Sequence, residues 1–188
     1  MFFVCIFFFP YYDNRIMKVS KKYLIWTIIV CVLALAINAY IIMHSCLDAI
    51  ESTKASSGVV EVTEEVINTI SPGTITPENH DSFVVFVRKA FGHFGLFFIS
   101  GLLTPLATYL AISPYKGSKH IYNVIIGLSI GLLLAIVTET IQLFVEGRSG
   151  EFTDILIDFS GYLLGALIVG LILFLVIRRL NKKKQVSN

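Results

Sequence analysis

The sequence predicts an all-α integral membrane protein: a four-transmembrane-helix bundle with both termini cytoplasmic and one acidic external loop holding a short amphipathic helix. Three observations predict it. Four apolar stretches of about 20 residues or more recur along the chain, each long enough at about 1.5 Å per residue to cross a hydrocarbon core. Hydrophobic residues make up 55% of the 188 residues and charged residues only 15%, a balance that a soluble domain of this size would not carry. Of the 15 Lys and Arg, 11 lie in the N-terminal segment, the 113–120 loop or the C-terminal tail, so the basic residues alternate with the spans as the positive-inside rule requires.

The N-terminal segment, residues 1–22, opens with Met1 to Pro10, which is apolar but too short to span a bilayer. Met17 begins a basic stretch ahead of a hydrophobic span, so translation is expected to start there, with residues 1–16 an upstream extension. The first span is 23–43, with Tyr23 and Trp26 at one interface and Tyr40 at the other. Ala34-Leu35-Ala36 resembles a signal-peptide cleavage site, but the apolar run continues to Met43, which favours a retained helix.

Residues 44–82 form the acidic loop, with seven Asp and Glu against Lys54 alone. Val59, Val62, Val66 and Ile70 repeat at helical spacing with glutamates on the other side, and Ser71-Pro72-Gly73 ends the pattern. The second span is expected over 90–112, kinked at Pro105 where the backbone donor is missing. The third is expected over 121–145 and the fourth over 155–177, ahead of a basic tail, 178–188. Cys5, Cys31 and Cys46 form no CxxC pair and supply neither a zinc spacing nor a disulfide framework.

Ionisable residues inside such spans are costly, roughly 2.5–3.5 kcal/mol each on insertion scales, and normally face a protein interior or a water-filled cavity. His93, Glu139 and Asp158 all fall near the external end of their helices, hence at one depth. Lys89, His93, Ser100 and Thr104 share a stripe on the second span; Gly127, Gly131, Glu139 and Gln142 share one on the third; Asp154, Asp158, Gly161 and Gly165 share one on the fourth. Gly127, Gly131, Gly161 and Gly165 form two small-xxx-small pairs that let backbones approach. The pattern predicts three helices packed tightly toward the cytoplasm and enclosing an external polar pocket. Arg88, Lys89, Arg148 and His93 would face Glu139, Asp154 and Asp158 there. Plainer roles compete: snorkelling for Arg88 and Lys89, an interfacial hydrogen bond for His93, capping for Asp154.

Arg88-Lys89-Ala-Phe-Gly-His93-Phe94, Glu139-Thr-Ile-Gln142-Leu-Phe, Gly147-Arg148 and Asp154-Ile-Leu-Ile-Asp158-Phe-Ser-Gly161-Tyr-Leu-Leu-Gly165 together resemble the VanZ-like family of small bacterial membrane proteins. The resemblance spans residues 83–177; many members carry Asn where this chain has Asp158. It implies a bacterial plasma-membrane location and a link to resistance against lipid-anchored glycopeptides of the teicoplanin type, without implying a reaction.

The leading functional expectation is a pocket that binds or handles an amphiphilic envelope component. Arg88, Lys89 and Arg148 would meet a phosphate or similar head group, with Glu139 and Asp158 orienting it and Phe94, Phe97, Phe98 and Leu143 along the chains. A membrane enzyme with Glu139 or His93 as general base is the alternative, weakened by the absence of a nucleophile motif or phosphate-cradling loop. A structural or partner-binding protein, or an oligomeric proton-coupled permease, are further readings. No cofactor is expected; a metal on His93, Glu139, Asp154 and Asp158 is chemically feasible, but their spacing is not diagnostic and none is assigned. Membrane lipids are the expected partners and homo-oligomers stay open. Nucleic acid is excluded because the basic clusters sit at membrane boundaries.

Overall fold

The computed structural model describes residues 20–114 and 120–186. The proposed start at Met17, the upstream extension 1–16 and the middle of the basic 113–120 turn lie outside the described residues. Within them there are six α-helices, one π-helical segment and no strand. Four helical stretches are long and apolar enough to cross a membrane: Lys21–Ser45, His80–Ile112, Tyr122–Gln142 and Phe152–Arg179.

Helix α1 is Lys21–Ser45, opened by Ser20, whose side chain accepts from the Tyr23 amide at 3.2 Å. The Tyr23 hydroxyl donates to the Leu110 carbonyl at 2.7 Å, so the start of the first span is tied to the end of the second. Helix α2 is Ala49–Ile70, longer than the valine spacing suggested because Asp48 caps it, accepting from the Glu51 amide at 2.8 Å. Most of the acidic loop is therefore helix. Val59, Val62, Val66 and Ile70 all stay exposed along α2.

Helix α3, His80–Val87, runs without a break into a π-helical segment, Arg88–Gly95, and then into α4, Leu96–Ile112. The second span thus starts about ten residues before the expected boundary at Ala90. Pro105 lies within α4, which stays helical through it. Helix α5 is His120–Gln142 and α6 is Phe152–Val186. The third span stops at Gln142 rather than near Val145, and the turn that follows needs a left-handed residue, supplied by Gly147 with φ +68°.

Helix α4 occupies the middle of the bundle, against α1, α5 and α6. Its crossing with α6 is close enough that a Cβ on Gly101 would overlap the Tyr162 backbone, and one on Gly165 the Phe98 carbonyl. Gly161 abuts the Phe94 carbonyl in the same way, and Gly131 of α5 accepts the Tyr162 ring. Gly127 has another job. It meets Pro105 only at ordinary contact distance, 3.5 Å, while its carbonyl accepts from the buried Tyr162 hydroxyl at 2.6 Å. Away from this seam the helices present apolar side chains outward. Trp26 (56%), Leu133 (61%) and Leu171 (60%) are among the many large hydrophobics left uncovered, as helices facing lipid require.

Candidate functional site

The π-helical segment decides which way the cations of the second span point. Residues five apart diverge by about 140° on an α-helix, but i to i+5 bonding widens the turn and brings them much nearer to one face. Arg88 and His93 are five apart, and both line one cavity. Lys89 lies one position round and reaches the start of α6 instead. Its Nζ donates to Asp154 Oδ1 at 2.5 Å and to Glu151 Oε2 at 3.1 Å. Asp154 occupies the first turn of α6, with its carboxylate on Lys89 and near His93.

His93 stands between three carboxylates. Its Nδ1 is 3.1 Å from Asp158 Oδ1 and 3.8 Å from Glu139 Oε1, and its Nε2 is 3.8 Å from Asp154 Oδ2. His93 Nδ1, one Glu139 oxygen and one Asp158 oxygen lie within 4.8 Å of one another. Glu139 and Asp158 are buried.

The 143–151 turn folds back onto the end of α5 to finish the arrangement. A Cβ on Gly150 would overlap the Glu139 carbonyl, so only glycine lets the turn pass this close. The Glu151 amide then donates to Glu139 Oε2 at 3.0 Å, while Gln142 Nε2 donates to Glu139 Oε1 at 3.0 Å. Arg148 Nη2 donates to Gln142 Oε1 at 2.6 Å. The same turn reaches α2, since the Ala49 amide donates to the Glu146 carbonyl at 3.2 Å. From α2, Ser52 Oγ accepts from Arg88 Nη2 at 3.1 Å.

These elements enclose a cavity of about 160 Å³ lined by Tyr40 and His44 of α1, Ser52 of α2, Arg88, His93, Arg148 and Asp158, among others. Two polar atoms bordering residues of this cavity are buried without a hydrogen-bond partner: Arg148 Nη1 and Asp158 Oδ2. Among the described residues, the other side chain so left is Asn123, near the start of α5. Burial first, and the neighbouring Arg88 second, hold the Arg148 guanidinium below its ordinary pKa. On the more exposed rim the hydrogen bond from Lys89 holds the Glu151 carboxyl below the usual range.

All eight residues singled out for binding thus fall into one connected region, but in two groups. Lys89, His93, Glu139, Asp154 and Asp158 form a charge cluster; Arg88 and Arg148 border the cavity, with Gln142 joining the two groups. Several expected neighbours go elsewhere. Ser100 and Thr104 do not continue the polar stripe into the site; they bond the buried Asn38 of α1, with Ser100 donating to Asn38 Oδ1 at 2.5 Å and Asn38 Nδ2 donating to Thr104 at 3.0 Å. Phe97 lines the cavity, whereas Phe94 and Phe98 stack on each other at 6.5 Å and Leu143 is 62% exposed. Sequence reasoning missed Tyr40, His44 and Ser52. A signal existed for the first two, four residues apart at the end of α1 that the topology places level with His93.

The model of a protein family described as VanZ/LLP1 matches residues 1–175, a longer stretch than the 83–177 motifs and one that takes in α1 and α2. No curated protein and no solved structure matches the chain.

Proposed function

Since the chain belongs to the VanZ/LLP1 family and is a membrane protein with a cation-lined cavity, we propose that it binds the anionic head group of an amphiphilic envelope lipid between α1, α2 and the start of α4. The observation that carries the reading is Arg148 Nη1, a buried guanidinium donor without a partner, beside Arg88 on the same cavity. An unpaired buried donor of this kind costs about 1–3 kcal/mol, more when charged, and a phosphate oxygen satisfies it. The charge of the anion also offsets the desolvation and the Arg88 repulsion that lower the Arg148 pKa. Asp158, on the same wall of the cavity, helps to orient the head group. The lipid chain leaves past Tyr40, Phe91 and Leu96 toward the outer surface of the bundle.

The basic residues Lys18, Lys21, Lys22 and those of the tail favour a topology with both termini in the cytoplasm, which would put the cavity at the outer leaflet of a bacterial plasma membrane. A protein occupying or presenting an envelope lipid there would alter tolerance to lipid-anchored glycopeptides. One observation favours an enzymatic version: the His93–Asp158 pair, 3.1 Å apart on the cavity wall, is placed to move a proton at a bound head group. Native mass spectrometry of gently solubilised protein tests binding. Wild type should retain an anionic lipid, and Arg148→Gln should lose at least about tenfold in retention, since a charge-assisted bond contributes roughly 1.5–3 kcal/mol. Equal retention by Arg148→Glu would sink the proposal. Turnover of labelled envelope lipid that disappears in Glu139→Gln would promote the enzymatic version.

A further inference from the structure

We propose that His93 Nδ1, Glu139 and Asp158 form a site for one divalent transition-metal cation of the zinc or manganese type, with its remaining coordination position open to the cavity. Three helices supply these donors, and their ligand atoms already lie within 4.8 Å of one another, with the His93–Asp158 pair at 3.1 Å. Ligands on one such ion sit about 3.0–3.5 Å apart when each bond is near 2.1 Å, so closure needs only small side-chain shifts.

Charge gives the second argument. Lys89 is committed to Asp154 and Glu151, and Arg148 Nη2 to Gln142. Among the described residues no Lys or Arg forms an ion pair with Glu139 or Asp158; their basic partner is the His93 imidazole. A protonated imidazole cancels one of two buried carboxylate charges, whereas a dication cancels both and uses neutral imidazole as a ligand.

The third argument is the unpartnered oxygen. Asp158 is wholly buried, with Oδ1 on His93 and Oδ2 on no donor. The surroundings also suit a metal site. Asp154 Oδ2 stands 3.8 Å from His93 Nε2, longer than a hydrogen bond but close enough that a small shift would give the carboxylate–histidine pairing that orients a metal-bound ring. Glu139 is fixed through both oxygens by Gln142 and the Glu151 amide. One imidazole with two carboxylates favours zinc or manganese over the all-oxygen preference of calcium and magnesium. Three protein ligands plus an open position leave room for water or, if the lipid reading above holds, a head-group phosphate already faced by Arg88 and Arg148. That last step rests on the proposed function; the metal site does not.

The test uses the full chain in detergent, stripped with chelator and titrated with Zn2+, Mn2+, Mg2+ and Ca2+. One Zn2+ or Mn2+ per chain is expected after dialysis, with Asp158→Asn and His93→Gln weakening it about 100-fold or more. Co2+ added to wild type should give the visible absorption of a low-symmetry N/O site, a reading that stands even where a variant misfolds. Stoichiometric metal retained by correctly folded variants, no metal in folded wild type, or Mg2+ bound as tightly as Zn2+ each overturns the proposal. Arg148→Gln separates the two ideas. Metal kept with lipid lost supports both; lipid retained by a folded wild type that takes up no metal on titration removes the metal site alone; metal bound without any lipid removes the head-group reading alone.

Discussion

The glycine-packed half of the bundle and its charged end are both polar insertions into apolar helices, yet they treat their polar atoms in opposite ways. In the packed half Asn38 accepts from Ser100 and donates to Thr104, and Tyr162 donates to the Gly127 carbonyl. At the charged end Arg148 Nη1 and Asp158 Oδ2 stay buried and unpaired beside a cavity. Polar groups in an apolar medium cost least when fully bonded, so the first arrangement fits a helix-locking role. The second carries a cost that packing does not repay, which supports the head-group site proposed above. Asn123, buried and unpartnered near the start of α5, sharpens the lesson: an unpaired polar atom points to a site where a cavity and charged neighbours accompany it.

The sharpest way to break that distinction is to crowd the packed half. Gly101→Val puts side-chain atoms where the Tyr162 backbone runs, and Gly165→Val does the same against Phe98. A loss of about 3 kcal/mol or more is expected, seen as loss of monodisperse protein and a collapsed thermal transition in detergent. Wild-type melting of either variant would mean the seam is looser than its glycines imply. Asn38→Ala comes next, stranding Ser100 and Thr104 at a cost of about 1–3 kcal/mol, with lipid retention unchanged once folded protein is compared. If lipid retention fell with it, the two regions would be one functional unit.

At the charged end the expectation inverts. Asp158→Asn removes a buried charge with one unsatisfied oxygen, so the melting temperature should hold within about 1 kcal/mol of stability or rise, while ligand retention falls. A large destabilisation with binding intact would recast the cluster as a device for fixing helix register.

Much of this contrast was legible in the sequence. Run lengths located the four spans, and helical offsets put His93, Glu139 and Asp158 at one depth. What was lost depended on hydrogen-bond register and long-range pairing. A π-turn leaves no trace in apolar periodicity, so nothing separated Arg88, on the cavity, from Lys89, on the α6 cluster. Ser100 and Thr104 fit the site stripe by spacing, and Asn38, 62 and 66 residues away, claimed them instead. Helix α2 read as a surface element, because a serine among glutamates gives no sign that Ser52 will meet Arg88. The sequence put Arg148 of the turn after Gln142 in the site, but gave no sign that Gly150 lets the turn press on α5 or that the Glu151 amide holds Glu139.

The smallest effect comes at the rim, where the charged end meets water. Lys89 lowers the Glu151 pKa through its hydrogen bond, and the pair is partly exposed, so its contribution should be only about 0.2–1 kcal/mol and should shrink with salt. A depressed folded-state pKa means the contribution is fully present above the unfolded value, about 4.3 for glutamate, and disappears as pH falls through the lower folded value. The stability gap between wild type and Glu151→Gln should therefore be flat from neutral pH to about that value and close below it. The Glu151 amide still holds Glu139 in the variant, so ligand retention should not move. A gap that persists under strong acid would assign the effect to packing of the side chain, and a loss of ligand would move Glu151 from the rim into the site.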